Sequence, residues 1–260
     1  MAAEPTETVA LEKFEIDALH QFDLHTAFGA IGRSVNFTQA NTMMLVGGAL
    51  TLALLYYGMR PRAVVPGRLQ AAAELAYTSL MSMTTSTIGG PEAKRFFPFV
   101  FTLFFFVLMG NILGLLPFQF TYTSHIAVTF GLAAMVIVLV TVVALSIHGL
   151  RFFSYFFPEG APKALAPLII PVEVISYLSR PVSLSIRLFA NMVAGHVMLD
   201  VFATFIVLLG SAGAFGILGA AFPLALNVLL VGFEFLVAFL QAYVFAILTC
   251  IYLHDAVHLH

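Results

Sequence analysis

Long apolar runs separated by short polar linkers dominate the pattern of this sequence. Three of the runs have the length of one bilayer crossing, about 20 residues at 1.5 Å of helical rise per residue. They predict membrane-spanning helices at 42–59, 96–116 and 125–148. The first of them ends at a charged Arg-Pro-Arg stop, Arg60 to Arg62, which breaks the helix.

Two later apolar runs, at 168–210 and 212–253, are each about 40 residues long, or roughly 60 Å as helices. The hydrocarbon core of a bilayer is only about 30 Å thick, so neither run fits as one upright crossing. We therefore expect two long, steeply tilted helices. The Gly-rich joint at 210–213 predicts that they form a hairpin, and three prolines (Pro171, Pro181 and Pro223) offer places to bend.

A further segment, 67–88, is patterned rather than uniformly apolar. Its apolar residues recur at three- and four-residue steps, and its polar residues form a separate row. The apolar set is Leu69, Ala73, Ala76, Leu80 and Met83, and the polar row is Gln70, Glu74, Thr78 and Ser82. This pattern predicts an amphipathic helix on the membrane surface or against a neighbouring helix. A cytoplasmic connector is the alternative interpretation.

Together these elements predict an all-α polytopic membrane protein with five membrane-entering helices and one interfacial amphipathic helix. Residues 41–260 are expected to form one membrane domain, and residues 1–40 a periplasmic or interfacial segment with a short surface helix near 11–19. The 60–95 segment holds five basic residues and the 149–167 linker two, whereas the 117–124 linker and the hairpin joint hold none. The positive-inside rule then predicts a bacterial inner-membrane protein with a periplasmic N-terminus and a cytoplasmic C-terminus.

Composition excludes several classes of function. The chain is 61% hydrophobic and 9% charged, whereas soluble domains carry about 25% charged residues, so lipids are its expected surroundings. A net charge of −2 argues against a nucleic-acid partner, and the absence of a GxxxxGK[ST] motif argues against a nucleotide site. No cofactor is expected. His254 and His258 are four residues apart but lack further ligands at matching spacing, which favours a solvated tail over a metal site.

Polar residues within the last two apolar runs carry the functional information. A charge at mid-membrane costs about 2.5–3.5 kcal/mol on insertion scales, so each one requires a reason. The first run places Glu173, Arg180 and Arg187 seven residues apart, and the second does the same with Asn227, Glu234 and Gln241. Seven residues make nearly two helical turns, so each set forms one polar stripe that must face protein or water.

Arg187 and His196 are nine residues apart, which places them on opposite sides of one helix. An arginine stays protonated in proteins, so Arg187 cannot relay a proton and is predicted to act electrostatically. Histidine and glutamate do exchange protons near physiological pH, which makes Glu173, His196 and Glu234 candidates for a proton relay or a channel lining. Asn191 and Gln241 are predicted to orient the guanidinium or to hydrogen-bond its partner.

Several of these residues allow a simpler interpretation. Arg187 and Glu234 could form a structural ion pair without a transport role. Arg180 could extend its charge to lipid head groups, and Asp200 could be a polar group at the outer interface rather than a channel residue. Asn111, inside the 96–116 run, fits either a helix–helix hydrogen bond or a polar access path.

Four segments carry a resemblance to one known family. PVSLSIRLFANMVAGH at 181–196, LQAYVFAILTCIYL at 240–253, FFFVLMGNILGLLP at 104–117 and LEKFEI at 11–16 resemble subunit a of the F-type ATP synthase. The resemblance implies a non-catalytic stator subunit of a proton-transporting complex, with two half-channels and with Arg187 facing a carboxylate of the rotating c-ring. It also implies three kinds of partner, namely c-ring subunits, peripheral-stalk b subunits with the rest of the complex, and membrane lipids.

The same resemblance assigns roles to individual residues. Gln241 and Asn191 correspond to amides near the arginine, Glu173 corresponds to a carboxylate of the cytoplasmic half-channel, and Ser183 and Asn111 lie on the implied proton path. Two departures stand out. Many bacterial members carry an acid at the position of His196 and a histidine at that of Glu234, so the exchange predicts two side chains that meet across the hairpin. Gly114 replaces an aspartate of some members, which makes the outer half-channel less acidic.

Two functions of other classes remain open at this point. Charged residues in broken helices are also found in self-contained proton-coupled secondary transporters, although the sequence shows no internal repeat. In a membrane scaffold without transport activity, the polar residues would only hold helices together.

Overall fold

The computed structural model describes residues 38–59, 67–116, 121–157, 165–211 and 213–258. The described residues form six α-helices and two 3₁₀ segments, with no β-strand. The helices are α1 (Gln39–Met59), α2 (Arg68–Ile88), α3 (Glu92–Gly114), α4 (Ile126–His148), α5 (Ala166–Gly210) and α6 (Ala214–Val257), and the 3₁₀ segments are Tyr122–Ser124 and Gly149–Phe156. The predicted all-α fold is confirmed, while the surface helix predicted near 11–19 lies outside the described residues.

Five of these helices are long and apolar enough to cross a membrane, namely α1, α3, α4, α5 and α6. They match the predicted spans to within a few residues at most ends. The predicted start of α3 at residue 96 was late, because the helix already begins at Glu92 directly after Pro91. The predicted end of α6 at residue 253 was early, since His254 contacts the backbone carbonyl of Ile88 at 3.1 Å and holds one further turn in place.

The amphipathic helix α2 is not among the candidate spans. Ala73, Leu80 and Met83 are buried on its apolar face, as predicted, and most of the polar row is exposed. Gln70 is the exception to that row, since it is buried and donates a hydrogen bond from Nε2 to Glu74 Oε1 at 2.7 Å. Helix α2 therefore packs against its neighbours through one face only.

The two long helices form the predicted hairpin. Helix α5 has 45 residues and α6 has 44, so each is about 67 Å long at 1.5 Å per residue. Pro171 and Pro181 lie within α5 and Pro223 within α6, and the helical backbone continues through all three positions. The chain reverses direction at Gly213, whose φ of 89° is a conformation that glycine adopts without strain.

Helix α3 forms the centre of the bundle, and α5 lies at its edge. In the apolar stretch of α3 that could cross the membrane, 61% of the residues are buried, whereas in that of α5 only 6% are buried. Helix α5 is held through one stripe, in which Leu184, Leu188 and Met192 are buried at steps of four residues. The remaining faces of α5, including the face that carries Arg187, are open.

Tyr122 holds the 3₁₀ turn between α3 and α4 in place. Its side chain is fully buried, and its hydroxyl donates to the carbonyl of Phe106 at 2.7 Å. The ring lies directly over Gly110, where a Cβ atom would overlap with it, and its hydroxyl is 3.1 Å from the position of a Cβ at Gly47. Burial raises the pKa of Tyr122 above its ordinary value, so the phenol stays protonated as a hydrogen-bond donor. The neighbouring residue, Thr121, is thereby positioned at the hairpin.

Candidate functional site

A buried polar cluster joins α5, α6 and the 3₁₀ turn. His196 Nε2 lies 4.0 Å from Glu234 Oε1, and these side chains are 12% and 7% exposed. His196 Nε2 also lies 3.0 Å from Thr121 Oγ1, where either atom can donate depending on the histidine tautomer. These two side chains therefore do meet across the hairpin, as the resemblance implied.

Gly195 makes this meeting possible. A Cβ atom there would overlap with Glu234 Oε1 and would lie 2.9 Å from Glu234 Cδ. Both carboxylate oxygens of Glu234 are buried without a hydrogen bond to the residues that the structure describes. A carboxyl group in that position is stabilised by binding a proton, a nearby cation or water. The group is therefore suited to exchange a proton with His196.

Asp200 is a further acidic member of this region. It lies one helical turn beyond His196, is half-buried, and is close enough for its charge to act on Glu234. Asp200 is therefore not isolated from the other polar groups of this region, and its role in a proton path stays a prediction.

Asn111 connects the cluster to α3. It is fully buried, its Nδ2 donates to the carbonyl of Ala238 on α6 at 3.2 Å, and its Oδ1 accepts a hydrogen bond from Thr123 at 3.0 Å. The helix–helix hydrogen bond that the sequence allowed is therefore present. Ala238 lies one turn after Glu234, so the same amide also borders the polar cluster.

Arg187 lies on the opposite side of α5. Its side chain is exposed, and neither a hydrogen bond nor an ion pair joins it to any residue that the structure describes. The alternative of an ion pair between Arg187 and Glu234 was wrong, because Glu234 lies beside His196 on the buried side of the helix. Ser183, one turn before Arg187, is exposed on the same open face.

Within the described ranges, no hydrogen bond or ion pair joins the remaining predicted site residues to Arg187. Gln241 is buried, and its Nε2 has no hydrogen-bond partner within the described ranges. Asn191 and Glu173 are both half-buried on α5, and neither is hydrogen-bonded to Arg187. Their roles near the guanidinium stay predictions from the sequence.

Arg180 and His254 both have protein contacts that the simpler interpretations did not include. Arg180 Nη1 lies 3.4 Å from Asp255 Oδ2 on α6, so its charge meets a protein partner rather than lipid alone. His254 belongs to α6 and is half-buried, not part of a solvated tail, and its ring lies 4.7 Å from that of His258. No group of three or more histidine, cysteine, aspartate or glutamate side chains in the described part is arranged to hold a metal ion.

Thr121 is the site residue that the sequence analysis missed. It lies in the linker between α3 and α4, where the run of hydroxyl-bearing residues at 121–124 was the only signal in the sequence. In the structure, a Cβ at Gly114 would overlap with the Thr121 side chain. The space that an aspartate would need at position 114 is thus filled by a threonine that contacts His196.

His125 follows this turn at the start of α4 and lies outside the spanning helices. Burial lowers its pKa below the ordinary value for histidine, so the ring is neutral at pH 7.

Comparison with known proteins gives one consistent result. A family described as "ATP synthase A chain" matches residues 41–254. The chain is 68% identical to ATP synthase subunit a of Granulibacter bethesdensis, with both chains covered completely. It is 60% identical to ATP synthase subunit a of Gluconacetobacter diazotrophicus and 59% identical to that of Gluconobacter oxydans, each covering 93% of this chain and 97% of the relative.

Proposed function

The chain belongs to the ATP synthase A chain family, and from that premise we propose that it is the proton-conducting stator of the membrane sector. In this proposal protons cross the membrane through two half-channels separated by α5, and their flow drives a rotating c-ring past Arg187. ATP synthesis itself takes place elsewhere in the complex, since this chain has no phosphate-binding loop. The subunit is therefore a non-catalytic part of the enzyme.

The observation that carries the proposal is the division of polar groups between two sides of α5. Arg187 is exposed on the open face, while His196 and Glu234 lie 4.0 Å apart behind the helix. A proton on the His196 side cannot continue through Arg187, because the guanidinium does not release its own proton and repels another positive charge. The proton must instead leave on a mobile carrier.

A ring of subunits with a membrane-buried carboxylate is the carrier that fits Arg187. An unpaired cation within a spanning helix is costly in lipid, and a passing carboxylate would neutralise it. Ser183, Ala190 and Ala194 share its face of α5 and are exposed, which leaves a surface of small side chains for another helix to slide across. Each proton delivered would supply about 2.3 kcal/mol per 100 mV of membrane potential.

The outer half-channel is proposed to run through Thr121, His196 and Glu234, with Asn111 and Asp200 on its border. The inner half-channel is proposed to begin near Glu173, at the end of α5 that the basic linkers place in the cytoplasm. The N-terminus is then periplasmic and the C-terminus cytoplasmic, and residues 41–260 form one membrane domain. The exposed apolar residues of α1, such as Leu52 at 70% exposure and Tyr57 at 60%, are proposed to contact lipids and the peripheral-stalk b subunits.

The proposal is tested by Arg187→Ala in cells whose only copy of the subunit is the variant. The expected result is a fully assembled complex with no ATP synthesis driven by a proton gradient in membrane vesicles. Arg151→Gln is the matched control, because Arg151 is also an exposed arginine but lies in the 3₁₀ segment beyond α4. Normal coupled synthesis by assembled Arg187→Ala enzyme would refute the proposal, and proton-coupled substrate exchange by the purified chain alone would support a secondary transporter instead.

A further inference from the structure

Arg180 is a second cation of α5, two helical turns before Arg187, and it pairs across the hairpin. Its Nη1 lies 3.4 Å from Asp255 Oδ2 on α6. The two side chains are 20% and 30% exposed, so the pair is largely shielded by protein. A pair in such a position orients two helices as well as neutralising two charges.

Two tyrosine rings enclose the same guanidinium. Arg180 Cζ lies 5.5 Å from the centroid of Tyr177 and 5.3 Å from that of Tyr252, both within the range of a cation–π interaction. The Tyr177 hydroxyl lies 2.6 Å from Thr141 Oγ1, which connects the group to α4. We call Arg180, Asp255, Tyr177 and Tyr252 the Arg180 clamp. These four side chains also line a small, partly open pocket between α4, α5 and α6.

The clamp lies where α5 has little other support. The buried residues of α5 begin only at Pro181, so no residue of its first four turns, from Ala166 to Arg180, is buried. The same segment is the part of α5 nearest to Arg187 on the proposed cytoplasmic side. Without the clamp, this end of the helix would be held only by half-buried contacts.

Tyr252 links the clamp to Arg187. The guanidinium of Arg180 lies 5.3 Å from the centroid of its ring, and Arg187 is within electrostatic reach of its phenol. Arg180 contacts this ring, and its ion pair with Asp255, three residues after Tyr252 on α6, keeps the guanidinium in place. Movement of the clamp would therefore alter the surroundings of Arg187.

We infer that Arg180 is a positioning residue, which fixes the cytoplasmic end of α5 against α6 and holds Tyr252 beside Arg187. The inference rests on the proposed function of Arg187 as the barrier between two half-channels. With the clamp intact, Arg187 stays aligned with the c-ring surface that it is proposed to face. With the clamp broken, α5 moves relative to α6, and protons pass without productive coupling.

The test uses the assembled enzyme in membrane vesicles and the variants Arg180→Gln and Asp255→Asn. Each is expected to raise passive proton leak per assembled complex by about tenfold and to lower ATP-driven pumping per ATP hydrolysed. Tenfold corresponds to ~1.4 kcal/mol, the order expected for one shielded ion pair with its cation–π contacts. Arg151→Gln, which removes an exposed arginine outside the clamp, is expected to leave both ratios unchanged.

A merely structural role would lower the amount of assembled complex and leave leak and pumping per complex at the wild-type level, which would overturn the inference. If the single variants do not assemble, the charge exchange Arg180→Asp with Asp255→Arg decides the question. Recovery of assembly and coupling in the exchanged pair supports the clamp, and a pair no better than Asp255→Asn overturns it. These outcomes are separate from the test of the proposed function, because coupled synthesis by Arg187→Ala would refute that function whatever Arg180 does.

Discussion

Replacing Gly195 with alanine tests whether proton transfer depends on the close approach of α5 to Glu234. The added Cβ would overlap with Glu234 Oε1 and lie 2.9 Å from Cδ and 3.3 Å from Cγ, whereas ordinary contacts begin at 3.4 Å. The Glu234 side chain must therefore move by about 0.5 Å or more, or the two helices must separate. Overpacking of this kind costs about 1–3 kcal/mol.

The carboxylate is the end of a flexible side chain, so we expect it to move before the helices do. Its movement lengthens the 4.0 Å separation from His196 and slows proton transfer between them. At tenfold per 1.4 kcal/mol, the expected loss in passive proton conductance of vesicles stripped of their catalytic head is about 5- to 140-fold. The complex is expected to assemble in near-normal amounts.

Gly131→Ala is the matched control for this experiment. Gly131 is a helical glycine on α4 with no atom within 4 Å of the added carbon, so the substitution should leave conductance unchanged. It also gains up to about 1 kcal/mol of helix propensity. Wild-type conductance in assembled Gly195→Ala enzyme would refute the reasoning, and so would an equal loss in the two variants.

Two further predictions concern the 3₁₀ turn. Thr121→Val removes the hydroxyl that contacts His196 at 3.0 Å while keeping the shape of the side chain, so proton conductance is expected to fall severalfold and its pH profile to shift. Thr121→Ser is expected to retain the wild-type conductance and pH profile. A normal pH profile in the valine variant would contradict the role of Thr121. Gly110→Ala places a methyl group against the ring of Tyr122. Overpacking of this kind costs about 1–3 kcal/mol of stability, so the thermal midpoint of the purified complex is expected to drop. Gly48→Ala, which meets nothing within 4 Å on α1, is its control, and equal midpoints for the two variants would show that the turn is not held at Gly110.

The helices of this protein could be predicted from the sequence because hydropathy and helical periodicity are local properties. Runs of apolar residues identified the five candidate spans, and the 3.6-residue period alone placed Arg187 and His196 on opposite sides of α5. The same period indicated that one face of α2 is buried. The errors in the predicted helices were confined to their ends, which depend on contacts such as that of His254 with Ile88.

The contacts between distant segments could not be predicted in this way. Arg180 and Asp255 are 75 residues apart, as are Thr121 and His196, and periodicity within one helix does not specify which residue of another helix lies opposite. Only the resemblance suggested that His196 and Glu234 meet. The role of Gly195 was hidden as well, because a missing side chain is informative only when the atoms that would collide with it are known.

The sequence by itself therefore determined that Arg187 is a permanent cation in an apolar helix, with a histidine on the far side of that helix. The tertiary structure decided what surrounds each of them. Packing of one narrow stripe of α5 leaves Arg187 exposed, while the absence of a side chain at Gly195 and the turn held by Tyr122 bring Glu234 and Thr121 to His196. The physical reason is that burial and partner choice depend on how whole helices pack, whereas the face on which a residue lies depends only on its own helix.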